Sequence, residues 1–236
     1  MNNPTVPAKP RQLPLDLAHQ PGFSRDELIV TPSNTAAVTL IDQWPHWPAS
    51  FMVLAGPPGS GKSHFASIWA QKTEALSVNA LEAGAIEAAA RANVNVLIDG
   101  VSDRAFDENA LFHLINTTRE AGRHLLITSR RWPSQWPVTL ADLMSRIKSA
   151  PMVEISEPDD QLLAGVITKL FADRQIAIDG SVVRFLVSRI ERSLATAQDI
   201  VARIDRAALE QQARVTSQLA SSVLTEMDLG QKTLDL

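Results

Sequence analysis

Residues 51–63 read Phe-Met-Val-Leu-Ala-Gly-Pro-Pro-Gly-Ser-Gly-Lys-Ser, a short continuous apolar run stopped by a glycine-rich turn. An apolar run of that length, ended by Gly56 and Pro57, predicts a strand buried on both faces. The turn fits G-x-x-x-x-G-K-[ST] at each required position, and a helical pattern follows from Ser63 to Lys72. Strand, loop and helix in that order make a phosphate cradle. Gly56, Gly59 and Gly61 let the backbone curl so that successive N–H groups and the helix N-terminus face anionic oxygens, and Pro57, Pro58 and Ser60 belong to the same expected contact set. Lys62 adds a point charge at the β- and γ-phosphates of a nucleotide, Ser63 offers a hydroxyl to Mg²⁺, and His64 completes the contact set. A chain built round this element must hold its strand inside a sheet covered on both sides.

Further strands are predicted at Val94–Asp99, His124–Thr128 and Met152–Ile155, with helices over Leu81–Ala92 and Glu108–Ala121 between them. Strands alternating with helices imply a parallel, doubly wound sheet. Beyond residue 156 the pattern is helical only, with Asp159 and Asp179 as helix caps and a third helix from about Leu194 to Arg214. The expected fold class is α/β: a P-loop parallel sheet sandwiched by helices, followed by a small all-α domain. Pro4, Pro7, Pro10, Pro14 and Pro21 suppress helix and internal strand at the start. The expected division is therefore an extended tail over 1–22, a nucleotide-binding base over 23–156, a helical unit over 157–225 and a polar tail over 226–236.

Asp99 closes its strand where a Walker B carboxylate orients Mg²⁺ and its waters. The next position, where many ATPases of this class carry an acid that polarises the attacking water, is Gly100, so binding is expected to be intact and hydrolysis impaired. The absence of cysteine excludes disulfide scaffolds, thiolate zinc sites and cysteine nucleophiles. With 22 Lys+Arg against 26 Asp+Glu, the charge argues against a surface that holds nucleic acid by counterion release. No apolar run is long enough to span a bilayer and the N-terminus lacks a signal-peptide profile, so a soluble, cytoplasmic protein is expected.

The motifs form an ordered series: Gly56–Ser63, Asp99, Thr128-Ser-Arg-Arg-Trp-Pro133, Leu143-Met-Ser-Arg146, Glu157-Pro158 and Glu191-Arg192-Ser-Leu. This series resembles the AAA+ module of the DnaA family of bacterial replication initiators over about residues 23–215. The resemblance implies an AAA+ base with a helical lid. It also implies that Ile29, Val30 and Asn34 lie along the adenine, an alternative being a plain edge strand and turn. By the same resemblance, Arg192 is the sensor 2 arginine that reaches the phosphates. Arg146 is the arginine finger offered to a neighbour's nucleotide, the alternative being a surface arginine paired with a carboxylate. Arg130 departs from the acidic sensor 1 residue of the initiators. Together with Gly100 it implies a chain that holds ADP, or ATP, with Mg²⁺, turns it over slowly and acts on the ATP of an initiator.

Gln12-Leu13-Pro-Leu15-Asp-Leu17 resembles the hexapeptide by which bacterial proteins dock on the DNA polymerase III sliding clamp, its glutamine amide entering a polar subsite and its leucines an apolar groove. The alternative is that those leucines pack on the protein's own sheet. The last six residues, Gln231-Lys-Thr-Leu-Asp-Leu236, repeat part of the motif and are either a second contact or a frayed tail. The resemblance thus implies a regulator of chromosome replication initiation associated with the replisome, whose partners are clamp and initiator, which touches DNA only through them and not membrane, and which is open to homodimer or larger assembly. Two readings from other classes share the P-loop: an ATP-hydrolysing loader of a replication client and a small nucleotide kinase. Trp44, Trp47, Trp132 and Trp136 form two Pro-flanked clusters that are expected to cover the edge of the core.

Overall fold

A computed structural model describes residues 25, 28–79, 82, 84–101 and 106–234, the last seven through their backbone alone. The sheet is built from β1 (Phe51–Ala55), β2 (Leu76–Val78), β3 (Val96–Ile98), β4 (Leu125–Ser129) and β5 (Met152–Glu154), parallel throughout, in the order β2-β3-β4-β1-β5. Every residue of β1 and β4 is buried, as their unbroken apolar runs require.

The two-residue period of the strands sorts their side chains into two cores. Phe51, Val53, Ile98, Leu125 and Ile127 face α3 (Ala85–Ala92), α4 (Glu108–Glu120) and α5 (Ala141–Ser149). Met52, Leu54, Leu97 and Leu126 face the opposite way, onto α1 (Thr35–Gln43) and α2 (Lys62–Thr73), where Ile41, Phe65 and Trp69 meet them. The loop after β1, an interior strand between β4 and β5, thus leaves the sheet at the C-terminal ends of its strands, where open α/β sheets bind ligands.

The lid has a core of its own, made by α6 (Asp160–Asp173), α7 (Gly180–Val187), α8 (Leu194–Gln211) and α9 (Ser217–Leu234). Asp159, Asp179 and Ser193 cap the first three, accepting from Leu162 N at 2.7 Å, Ser181 N at 2.7 Å and Thr196 N at 3.2 Å.

Two expectations need correction, and one strand carries no signal in the sequence. The polar tail over 226–236 does not begin where expected, because α9 runs to Leu234. Leu219, Ala220 and Val223 seat its first turns in the lid core, and no proline follows to stop it. The helix expected from Leu81 starts at Ala85, directly after Gly84 with φ +75°. Strand β2 carries only three residues, two of them exposed at the sheet edge, too short and too polar for periodicity to reveal it. Tryptophans from both Pro-flanked clusters do cover the core edge. Trp47 stacks on Trp69 at 5.1 Å and donates to Leu40 O at 2.6 Å, and Trp136 Nε1 donates to Ser129 Oγ at 3.0 Å. Trp132 instead stays 45% exposed.

Candidate nucleotide site

The loop between β1 and α2 takes the shape that its glycines permit. Gly59 and Gly61 have φ +70° and +96°, backbone that other residues enter only with strain. Gly59 is also sterically closed: a Cβ there would lie 2.0 Å from Ser193 Oγ and 2.8 Å from Ser193 Cβ. The lid seats on the loop at this point, with Leu194 N donating to Gly59 O at 2.8 Å.

Lys62 is buried at the first turn of α2 and donates to Pro57 O at 2.6 Å, with Ser60 Oγ 3.4 Å away. Burial holds its ammonium below the usual lysine range; the charge of Arg130 adds to that and the Asp99 carboxylate opposes it. A cation desolvated in this way gains by meeting an anion. Ser63 Oγ donates to Asp99 Oδ1 at 3.2 Å, joining the loop to the end of β3. A hydroxyl beside a carboxylate is the all-oxygen donor set that suits Mg²⁺.

Beside this loop lies a cavity of about 430 Å³ between base and lid. Of the residues expected to bind nucleotide, Ile29, Asn34, Gly59, Gly61, Lys62, Ser63 and His64 line it. Gly56, Pro57, Pro58 and Ser60 shape the loop behind it without lining it, and Val30 is 44% exposed outside it. Residues 28–30 form no strand. Asn34 works as a clamp on this segment: its buried amide donates to Ile29 O at 2.8 Å and accepts from Thr31 N at 2.9 Å. The curve so fixed sets Ile29 against Gly165 of α6, where a Cβ would come within 2.9 Å of Ile29 Cδ1.

Arg192 does not line the cavity. Its Nη2 pairs with Asp160 Oδ1 at 2.8 Å at the start of α6. Arg146 is half-buried in the last turn of α5, on the sheet face opposite α2, and makes no ion pair among the described residues. The clamp-like segment Gln12–Leu17 lies outside the described residues.

Sequence reasoning missed the lid's share of the cavity wall, Leu162, Val166, Leu170 and Leu194 with the polar Lys169, Asp173 and Gln198. The first three fall at i, i+4 and i+8 on α6, a periodicity that read only as lid core.

A five-stranded parallel sheet in this order, a P-loop after its interior strand β1 and a helical lid over the loop define the AAA+ class of P-loop folds. Within that class, residues 163–224 match the family model described as "Hda, lid domain". Along most of its length the chain is similar to the chromosomal replication initiator protein DnaA of Sphingopyxis alaskensis, 25% identical over a 251-residue alignment covering 94% of this chain and 55% of that protein. The chain thus spans about half the length of that relative. Among solved structures, domain III of Thermotoga maritima DnaA superposes with a TM-score of 0.73 at 17% identity, covering 88% of this chain and 97% of that one. A point mutant of Thermotoga maritima RuvB gives 0.71 at 16%, covering 88% and 73%. Among the described residues no helix is long and apolar enough to cross a membrane.

Proposed function

We propose that this chain is an ADP-dependent AAA+ regulator of bacterial replication initiation. It docks on the DNA-loaded sliding clamp through residues 12–17 and lends Arg146 to ATP-bound initiator DnaA, so that the initiator's ATP is spent. The observation that carries the reading is a contrast within one site. Ile29, Asn34, Gly59, Gly61, Lys62, Ser63 and His64, which would hold nucleotide, line one cavity, yet the position after Asp99 is Gly100, at φ +86°, with no side chain to activate water.

Gly59, Gly61 and Lys62 would hold the phosphates, Ser63 and Asp99 the Mg²⁺ with its waters, and Ile29 with the α6 wall the base. Bound Mg²⁺ supplies charge neutralisation on the phosphates. Lys62, desolvated and unmatched by a full counter-charge, favours the anionic ligand. Arg146 supports action on a neighbour's nucleotide, since α5 packs on the sheet face away from the chain's own P-loop helix. An arginine finger of this kind contributes about 10³- to 10⁵-fold in rate.

Similarity to both DnaA and RuvB leaves the fold neutral between a regulator and an ATP-hydrolysing loader. The lid match and the missing acid favour the regulator. The test is the rate of ATP hydrolysis by initiator in the presence of clamp loaded on DNA. Addition of this protein is expected to accelerate it, and the Arg146→Ala form, still binding ADP, to lose that acceleration. If neither form changes the initiator's rate, the regulatory reading fails.

A further inference from the structure

Thr128 is 1% exposed in β4, on the strand that runs beside β3 in the register Ile98↔Ile127. A hydroxyl so buried is costly unless it is hydrogen-bonded, and an apolar β-branched residue would fill the same strand position without that demand. Its bonds run across to the neighbouring strand end. Gly100 N donates to Thr128 Oγ1 at 2.8 Å, and Thr128 Oγ1 in turn donates to Asp99 Oδ1. The direction is forced, because an amide N–H can only donate and a carboxylate only accept, so the single hydroxyl proton must point at Asp99. The same Oδ1 accepts from Ser63 Oγ at 3.2 Å.

We infer that Thr128 is a positioning residue for the metal-bearing end of the nucleotide site: by relaying the Gly100 N–H to Asp99, it fixes the carboxylate that in turn orients Ser63. This rests on the nucleotide reading above. Two hydroxyls pin one carboxylate oxygen and so set the carboxylate plane, while Ser63, its proton committed to Asp99, keeps its lone pairs for a cation. The glycine after Asp99 gains a reason of its own. At φ +86° it turns its N–H onto Thr128, a conformation that a side chain makes strained. Partners that orient a ligating group in this manner are typically worth about ten- to a hundredfold in metal affinity.

The experiment is ADP affinity by titration calorimetry, in Mg²⁺ and in EDTA, for the full chain and its Thr128→Val and Thr128→Ser forms. Wild type is expected to bind ADP more tightly with Mg²⁺. Thr128→Val should bind as wild type does in EDTA while losing about ten- to a hundredfold of the Mg²⁺-dependent gain, and Thr128→Ser should keep that gain. Should the valine form not fold, Thr128→Ala against Thr128→Ser makes the same comparison. A hydroxyl-free form with the full Mg²⁺ gain, or one weakened equally in EDTA and Mg²⁺, overturns the positioning role. If wild type binds no ADP in either buffer, the nucleotide reading itself has failed and the inference falls with it.

Discussion

Arg192 holds Asp160 at 2.8 Å although the two side chains are 52% and 69% exposed. Exposed pairs of this kind are worth about 0.2–1 kcal/mol, so the arginine is tethered only loosely at the head of α6. A phosphate competing for the same guanidinium offers a charge-assisted bond of about 1.5–3 kcal/mol. If Arg192 leaves Asp160 for bound nucleotide, Asp160→Asn removes the competitor and should tighten ADP binding by up to about fivefold, the equivalent of roughly 1 kcal/mol. Arg192→Ala should weaken binding by about ten- to a hundredfold. Calorimetric titration of both single variants and the double variant closes the cycle. An equal gain from Asp160→Asn in the Arg192→Ala background would show that the carboxylate acts on something other than this arginine. At this scale the loop residues were legible because the whole G-x-x-x-x-G-K-[ST] pattern stands in eight consecutive positions, 56–63. The Asp160 partner was not, since the pair is joined only by the way the connection between α7 and α8 comes back to the head of α6.

α5 starts without a side-chain cap from its own N-cap residue, Leu140, and Glu108 of α4 supplies one across the fold. Its carboxylate accepts from Thr139 N at 3.0 Å, Thr139 Oγ1 at 3.1 Å and Leu140 N at 2.6 Å. The Thr139 and then the Leu140 backbone N–H groups hold the Glu108 carboxyl below the usual glutamate range, against a smaller opposing effect of burial. A carboxyl lowered in the folded state binds protons more readily when unfolded. Its stabilisation is therefore complete above the usual glutamate range and is lost as pH falls through the folded value. Glu108→Gln should accordingly cost about 1 kcal/mol at neutral pH, the scale of a lost cap, in urea unfolding. The gap to wild type should close as the pH drops below the usual glutamate range. A gap that stays constant with pH would mean that the carboxylate charge is not what anchors the helix carrying Arg146. Elements show the same division of legibility. β1, β3, β4 and the caps of α6 and α7 were readable from apolar runs and from Asp159 and Asp179. β2 and the start of α5 were not, since one is three edge residues and the other is capped from a helix that sequence places far upstream.

Direct contacts join the base to the lid. Leu194 N donates to Gly59 O at 2.8 Å, and Ile29 lies against Gly165. Burial would raise the carboxyl of Asp159, the cap of α6, but the Leu162 N–H that it accepts, with Thr31 and Ser33 of the base beside it, outweighs that, and its pKa is lowered. The buried cores of base and lid share no residue, so each can melt on its own schedule. A ligand in the cavity of about 430 Å³ changes that balance, because its walls come from Ile29, Gly61 and Lys62 on one side and Leu162, Val166 and Leu194 on the other. A ligand that binds only the native arrangement of both units, at a hundred times its Kd, would stabilise the pair by about 2.7 kcal/mol. For a chain of this size each kcal/mol moves the midpoint by about 2–4 °C, giving a rise of roughly 5–11 °C. Scanning calorimetry without nucleotide should show a broad or two-step transition in which the lid melts first. Excess ADP with Mg²⁺ should raise it by that amount and merge the steps, since neither unit can then open without releasing ligand. A base transition that moves while the lid transition stays in place would mean that nucleotide is held by the base alone, and that the lid seated on Gly59 does not sense it.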